Sequence, residues 1–269
     1  MIAGAGGMTG TLLAARLSRE HDVLPLAHRD LDITDPLAVA RTVKGARPDL
    51  VINCAVLGVD ESERDRNRAA AVNADGAGNL ARAAERVKAE FLQFSTNWVF
   101  GGDARRLAYN TRDEAQPVNV YGVTKLTGEC AALMHCSRSY VVRTSWVFGG
   151  TKPSFLTSVV GRLRAGEKIR AINDVHGSVT YIHDLLDRVL ELLGTKRYGL
   201  HHVANDGVCS YEEFAREAAR IAKLDARLIE PIALREAKLV APRPRYTPLA
   251  CEPKLRPWQD ALAAFVRTA

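Results

Sequence analysis

Short apolar runs alternate with longer amphipathic segments along most of the chain. The runs have the length of buried strands, and the segments between them repeat apolar residues near the 3.6-residue period of a helix. This alternation predicts an α/β fold, with a doubly wound parallel sheet covered by helices on both faces. The predicted strands are residues 23–26, 50–55, 90–94, 140–144 and 199–204. The predicted helices are residues 9–19, 36–44, 69–88, 121–134 and 182–193.

The pattern changes after residue 148. A helical stretch follows at 155–164, the tail 241–257 is rich in proline and too interrupted for sheet strands, and an amphipathic run closes the chain at 258–266. We therefore expect a main domain over residues 1–148 and a smaller C-terminal lobe over 149–269. Residues from about 179 to 204 again have the pattern of a helix and a strand, so we expect them to return to the main sheet.

Composition narrows the class of protein. The chain of 269 residues is 47% hydrophobic and 25% charged, which is typical of a globular protein with a sizeable core. Its five scattered cysteines include no CxxC pair, which predicts neither a disulfide framework nor a metal site and favours the cytoplasm. No apolar run approaches the roughly 20 residues that span a bilayer. The net charge of +6 is dispersed and accompanies no nucleic-acid-binding motif, so we expect neither nucleic acid nor membrane as a partner.

A glycine-rich turn opens the chain. Gly4, Gly7 and Gly10 follow a short apolar stub and lead into the first predicted helix, with Met8 and Thr9 lying between the last two glycines. Backbone N–H groups and the helix dipole at such a turn attract a pyrophosphate, which predicts a dinucleotide on a Rossmann sheet. Because only about three residues precede Gly4 and strands usually have about five, either the start codon lies further upstream or the first strand is short.

The residues after the second predicted strand indicate which dinucleotide binds. An arginine at this place suits a ribose 2′-phosphate, whereas an acidic residue suits a free hydroxyl. Arg29 therefore favours NADP(H), with NAD still possible. Asp32 and Ile33 are placed to hold the adenine, with the carboxylate accepting from its amino group and the isoleucine packing on the ring.

A tyrosine and a lysine four residues apart carry the predicted chemistry. Tyr121 and Lys125 share one face of a predicted helix. A nearby cation favours the phenolate, so we expect the pKa of Tyr121 to fall toward neutrality. Thr96 follows the strand at 90–94, at the sheet edge where parallel sheets bind ligands. A hydroxyl there can orient a carbonyl, and the phenol can protonate the alkoxide that hydride transfer creates.

These motifs together resemble the extended short-chain dehydrogenase/reductase superfamily and, within it, the dTDP-4-dehydrorhamnose reductase family. The likeness covers nearly the whole chain. The matching segments are residues 4–10, 32–35, 48–53, 72–73, 95–100, 117–126, 143–149, 203–205, 210–215 and 243–249.

The resemblance implies a nucleoside-diphosphate sugar as substrate and is consistent with a homodimer. Thr96 would hold the C4 carbonyl, Tyr121 would donate the proton, and Lys125 would tune Tyr121 and bond the nicotinamide ribose. Cys54, Ala55 and Thr144 would lie along the cofactor. The candidate substrate-binding residues are Val56, Thr96, Asn97, Trp98, Tyr121 and Trp146.

Two departures from the family pattern concern the substrate. The family usually has Thr-Asp-Tyr where this chain has Thr96, Asn97 and Trp98. It usually has Asp-Gln-x-Gly-x-Pro-Thr where residues 174–180 of this chain read Asp-Val-His-Gly-Ser-Val-Thr. The exact sugar is therefore left open, and a reductase or epimerase of another nucleotide sugar is an alternative. A second alternative is an NADP-binding regulatory subunit without turnover, since the family resembles the β subunit of methionine adenosyltransferase. The complete set of Thr96, Tyr121 and Lys125 argues against that alternative.

Overall fold

A six-stranded sheet forms the centre of the protein in the computed structural model, which describes residues 1–102, 107–150 and 154–268. The strands of the described chain are β1 (Ile2–Ala3), β2 (Pro25–Leu26), β3 (Leu50–Asn53), β4 (Glu90–Thr96), β5 (Ser139–Thr144), β6 (Val147–Phe148), β7 (Ile169–Ile172), β8 (His176–Gly177), β9 (Thr180–Tyr181), β10 (Gly199–His202), β11 (Cys209–Ser210), β12 (Ile229–Ile232) and β13 (Tyr246–Thr247). The sheet has the order β10-β5-β4-β3-β1-β2, and all of its neighbouring strands are parallel.

Helices cover both faces of this sheet. They are α1 (Met8–Leu17), α2 (Pro36–Ala46), α3 (Val59–Arg64), α4 (Arg66–Ala69), α5 (Gly76–Val87), α6 (Val120–His135), α7 (Phe155–Arg164), α8 (Ile182–Leu193), α9 (Tyr211–Ile221) and α10 (Trp258–Thr268). Because side chains alternate along a strand, Ile52 and Leu92 pack with α1 and α8 on one face, while Val51 and Phe91 pack with α2 and α5 on the other. The predicted doubly wound α/β architecture is confirmed.

The C-terminal part of the chain adds a smaller core beside the sheet. Val159 of α7, Ile169 of β7, Ala215 of α9 and Ile229 of β12 pack together, and β7 pairs with β12. Between these elements lie α8 and β10, and β10 pairs with β5 of the main sheet.

One predicted helix is wrong. Residues 69–88 do not form a continuous α-helix, because a π-helical turn, Ala70–Asp75, separates α4 from α5. Asn73 in this turn donates its amide to the carbonyl of Leu57 and to the hydroxyl of Thr124. The backbone of the turn also approaches α6 so closely that a Cβ on Gly128 would lie 2.2 Å from the carbonyl oxygen of Asn73. This packing against α6 accompanies the local departure from α-helix.

The prediction that the proline-rich tail holds no sheet strand is also wrong. Tyr246 and Thr247 form β13, which runs parallel to β8. Proline lacks an N–H donor, but these two residues lie between Pro244 and Pro248 and keep theirs. Across the described residues, no helix is both long and apolar enough to cross a membrane, and no group of three or more histidine, cysteine or acidic side chains could hold a metal ion.

Candidate active site

The turn between β1 and α1 leaves room for an anion. Gly4 has a φ of +74°, and a Cβ there would lie 2.4 Å from the backbone nitrogen of Ala55. A Cβ on Gly10 would lie 2.6 Å from the carbonyl oxygen of Gly4. Within the described chain, no side chain caps α1 at Gly7. The first N–H groups of the helix are therefore available to a pyrophosphate.

A cavity of about 1000 Å³ opens in front of this turn. The segments that follow β2 and β3, together with α4 and the π-helical turn after it, complete its wall. Val56, predicted to bind substrate, lines this cavity as well. Five of the predicted cofactor residues are described by the structure but do not line this cavity: Thr9, Gly10, Tyr121, Lys125 and Thr144. The predicted cofactor residues that do line it are Gly4, Gly7, Met8, Arg29, Asp32, Ile33, Cys54 and Ala55.

One end of the cavity is basic. His28 and Arg29 from the loop after β2 and Arg68 from α4 all line it. The Arg29 side chain is 88% exposed and lies 3.7 Å from the Asp30 carboxylate. Asp32 accepts hydrogen bonds from the backbone and hydroxyl of Thr34 at 2.9 and 2.8 Å. These bonds lower the pKa of Asp32, as do the charges of His28 and Arg68, so its carboxylate is ionised and able to accept.

Tyr121 lies at the start of α6, against the end of β4. Asn119 caps the helix by accepting from the Gly122 N–H at 2.7 Å, and a Cβ on Gly122 would lie 2.2 Å from the carbonyl oxygen of Trp98. This close approach places the phenol of Tyr121 beside Thr96, whose hydroxyl acts to lower the pKa of the phenol. The Trp98 ring packs edge-on against Tyr121 at 6.1 Å.

The pKa of Tyr121 moves in the opposite direction from the one predicted. Burial raises it to about 12, although the Thr96 hydroxyl acts to lower it. The expectation that Lys125 brings this pKa toward neutrality is therefore wrong. Since the phenol stays protonated at neutral pH, it is in the state that a proton donor requires.

Lys125 is buried one helical turn after Tyr121 and is 3% exposed. Its ammonium donates to the carbonyl oxygen of Phe94 at 2.6 Å. Burial lowers the pKa of Lys125 to about 8, while Glu129 and Cys54 act in the opposite direction. Burial also raises the pKa of the Cys54 thiol to about 12, so this thiol is neutral where it lines the cavity.

The next strand continues the same edge of the sheet. Thr144 pairs in register with Thr96 and donates its hydroxyl to Thr180 at 3.1 Å. Trp146, two residues later, has a φ of +36° and stacks on Tyr211 with ring centroids 3.9 Å apart. Its indole nitrogen is buried, with no hydrogen-bond partner among the described residues.

Asn97 and Trp98, two of the residues that depart from the family pattern, lie against the C-terminal tail. Asn97 donates its amide to the carbonyl and hydroxyl oxygens of Thr247, at 3.2 and 2.8 Å. The guanidinium of Arg243 lies 4.9 Å from the Trp98 ring and pairs with Asp60 of α3 at 2.8 Å. The tail is thereby fastened across the side of the site where Trp98 meets Tyr121.

A family model described as the RmlD substrate binding domain matches residues 1–269, which is the whole chain. The chain belongs to the RmlD substrate binding domain family.

Named relatives and solved structures agree with this assignment. A dTDP-4-dehydrorhamnose reductase of Mycolicibacterium smegmatis is 41% identical over 281 residues, which cover 99% of this chain and 85% of the relative. A Streptomyces antibioticus relative, named a probable dTDP-4,6-dihydroxy-2-methyloxan-3-one 4-ketoreductase, is 34% identical over 97% of this chain and 92% of its own. The crystal structure of a Bacillus anthracis dTDP-4-dehydrorhamnose reductase in complex with NADP has a TM-score of 0.94 and 33% identity, covering 100% of this chain and 98% of that one.

Sequence reasoning missed four side chains near the site of this RmlD-family chain: Arg68, Glu129, Arg143 and Arg243. Glu129 had a local signal, since it follows Lys125 by four residues and so shares its helix face. Arg68, Arg143 and Arg243 come from α4, β5 and the tail, and their places depend on how these segments pack. Arg143 and Arg243 open two of the segments that match the family pattern, but no local pattern placed any of the three arginines near the site.

Proposed function

We propose that this protein reduces the 4-keto group of a 6-deoxyhexose carried on dTDP, with NADPH as hydride donor. The packing of Tyr121 against the end of β4, where Thr96 lies, together with Lys125 bonded to the carbonyl of Phe94, carries the proposal. This arrangement lies at the carboxyl edge of a parallel sheet, where such folds bind ligands. The names of the relatives support the substrate class.

The cavity suits a phosphorylated dinucleotide. The glycine turn with Met8 and Thr9 would hold the pyrophosphate, since among the described residues no side chain caps α1 at Gly7. Asp32 and Ile33 would hold the adenine, and Arg29 would face the 2′-phosphate, which favours NADPH while NADH remains usable. Cys54, Ala55 and Thr144 would follow the cofactor toward the sheet edge. When bound, NADPH supplies the hydride.

The protein's own groups would manage the proton. The Thr96 hydroxyl would donate to the C4 carbonyl oxygen and orient it. As hydride reaches C4, the oxygen gains negative charge and takes the phenolic proton of Tyr121. The Lys125 ammonium, buried one helical turn away, would offset the charge left on the phenolate. Burial keeps Tyr121 protonated until that moment, which suits reduction at neutral pH.

The sugar nucleotide would lie along Val56, Trp98 and Trp146. The buried indole nitrogen of Trp146 has no partner in the described part of the chain and could donate to the ligand. Asn97 would affect substrate binding indirectly, by positioning β13, because its amide is already hydrogen-bonded to Thr247.

A related ketoreductase acting on a different nucleotide sugar is the second candidate. The observation that favours it is the Asn97 and Trp98 pair, which changes the substrate side of the site while leaving Thr96, Tyr121 and Lys125 in place. The Streptomyces antibioticus relative, named for a different dTDP-linked substrate, supports it as well.

The test is NADPH oxidation by the purified protein with dTDP-4-dehydro-6-deoxy-L-lyxo-hexose. Tyr121→Phe is expected to lower kcat by about 10² to 10⁴-fold, because the proton donor is removed, with NADPH affinity retained. Tyr198→Phe, whose hydroxyl donates to Glu90 at the opposite edge of the sheet, is the matched control. Turnover only with another keto-sugar nucleotide would favour the second candidate. Tight NADPH binding without turnover of any such sugar would overturn the reductase proposal.

Three further expectations remain as proposals. The division into residues 1–148 and 149–269 is supported by the separate small core of α7, α9, β7 and β12. A cytoplasmic location is supported by the five free cysteines. The homodimer is a prediction that light scattering of the purified protein would test.

A further inference from the structure

A buried ion pair lies behind Tyr121 and Lys125. Glu129 and Arg143 are 2% and 4% exposed. Arg143 donates from Nε to one carboxylate oxygen of Glu129 at 2.8 Å, and from Nη2 to the other at 2.6 Å. The hydroxyl of Ser95 donates to the same carboxylate. The arginine side chain also lies over the ring of Phe100, at 5.0 Å.

One face of α6 holds the end of β4 at three consecutive residues. Tyr121, Lys125 and Glu129 follow one another at intervals of four, so they share a helix face. Glu129 accepts from the hydroxyl of Ser95, Lys125 donates to the carbonyl of Phe94, and Tyr121 lies beside Thr96. The geometry of Thr96 therefore depends on bonds that lie deeper in the protein.

The charges around Lys125 give Glu129 a second role. The groups that act on the ammonium are Glu129 on its own helix and Cys54 at the end of β3. Tyr121 lies on the same helix face as Lys125. Arg143 of β5 donates a hydrogen bond to Glu129 and is thereby the other charged group near the ammonium. Without Glu129, two buried cations would lack a counter-charge, which is a costly arrangement in a protein interior.

We propose that Glu129 is a positioning residue of the reductase site: held by Arg143, its carboxylate fixes Ser95 next to Thr96 and supplies the negative charge that keeps Lys125 an ammonium. Its effect on Lys125 can be measured without turnover. Its effect on catalysis rests on the proposed function.

The direct test is an NMR titration of the Lys125 side chain in the holoprotein with NADPH bound, using ¹³Cε-labelled lysine. The resonance is assigned by its loss in Lys125→Met. Glu129→Gln keeps the shape of the side chain but removes its charge, so the neutral amine is favoured and the midpoint falls by roughly one pH unit. Glu90→Gln, at the other end of β4 and bonded to Tyr198, leaves the midpoint in place. An unchanged midpoint in Glu129→Gln would overturn the proposal.

The catalytic consequence is tested by the pH dependence of kcat/KM. In Glu129→Gln, activity is expected to be lost at lower pH than in wild type, because the ammonium loses its proton earlier as pH rises. Ser95→Ala is expected to lower kcat without changing the pH at which activity is lost. It loosens the end of β4 but leaves the negative charge of Glu129 in place. A shifted NMR midpoint in a protein that turns over no keto-sugar would count against the proposed function and would leave the role of Glu129 intact.

A double variant covers the case in which Glu129→Gln fails to fold. In E129Q/R143Q both charges of the ion pair are removed, so no buried guanidinium is left without a partner. The Lys125 midpoint is still expected below that of wild type, because Glu129 is the charge that acts on the ammonium directly. A wild-type midpoint in the folded double variant would contradict the proposal.

Discussion

At the scale of single residues, Gly4 is required both for its backbone conformation and for its lack of a side chain. Gly4→Ala is expected to lower the free energy of unfolding by about 3 kcal/mol or more, since strained φ and steric overlap add. Its φ is +74°, and its Cβ would lie 2.4 Å from the Ala55 nitrogen. Urea denaturation measures the cost, and fluorescence titration measures the accompanying loss of NADPH affinity.

Gly166 offers a matched control for that substitution. Its φ of +72° is nearly the same, but a Cβ there would meet nothing within 4 Å. Gly166→Ala is expected to cost about 1 kcal/mol, which is the backbone contribution alone. If both variants lose the same stability, the turn accommodates a methyl group and the steric argument at Gly4 is wrong.

The sequence predicts a catalytic role for Thr96, Tyr121 and Lys125 because each belongs to a short local motif. It could not give the direction of the Tyr121 pKa, since that depends on burial. Burial arises where Gly122 lets α6 approach the carbonyl of Trp98, a contact between segments about 24 residues apart. Residue type and spacing thus predicted which groups act, and packing decided their protonation.

At the scale of elements, α4 brings a second arginine to the cofactor cavity. Arg29→Ala and Arg68→Ala are each expected to weaken NADPH binding about tenfold, because each removes a cation that can face the 2′-phosphate. NADH, which lacks this phosphate, should bind almost unchanged. Arg227→Ala, an arginine 91% exposed and paired with Asp225, serves as control. Fluorescence titrations with both dinucleotides decide the matter, and equal losses for NADPH and NADH would mean that the arginines play no part in selecting the cofactor.

Elements with a strong apolar period were predicted closely, and those shaped by distant contacts were not. The bounds of α7 and α8 agree with the prediction, because a regular period within one helix carries its own signal. The π-helical turn Ala70–Asp75 gives no such signal, since it forms where Asn73 bonds Leu57 and Thr124. Arg68 was missed for the same reason: its place at the cavity follows from the break between α4 and α5.

At the scale of the whole molecule, the main core joins both parts of the chain. Ile52 and Leu92 of the sheet pack in one cluster with Phe214 of α9 and Leu262 of α10. A shared core of this kind predicts a single cooperative unfolding transition. The cavity proposed to bind the cofactor is likewise assembled from separate segments, the first turn, the loop after β2, the end of β3 and α4. An unfolded chain therefore contains no such cavity.

Because only the folded chain presents this cavity, NADPH should raise the melting temperature of the whole protein. At about 100 times its dissociation constant, a ligand adds about 2.7 kcal/mol, which for a chain of this size corresponds to roughly 5 to 10 °C. NADH at the same concentration should give a smaller rise, since it leaves Arg29 and Arg68 without a phosphate. Differential scanning calorimetry measures both shifts, with the Gly4→Ala protein as the control that should respond to neither. Equal rises with NADPH and NADH would show that the basic end of the cavity contributes nothing to binding, and no rise with either would show that neither dinucleotide binds the folded protein.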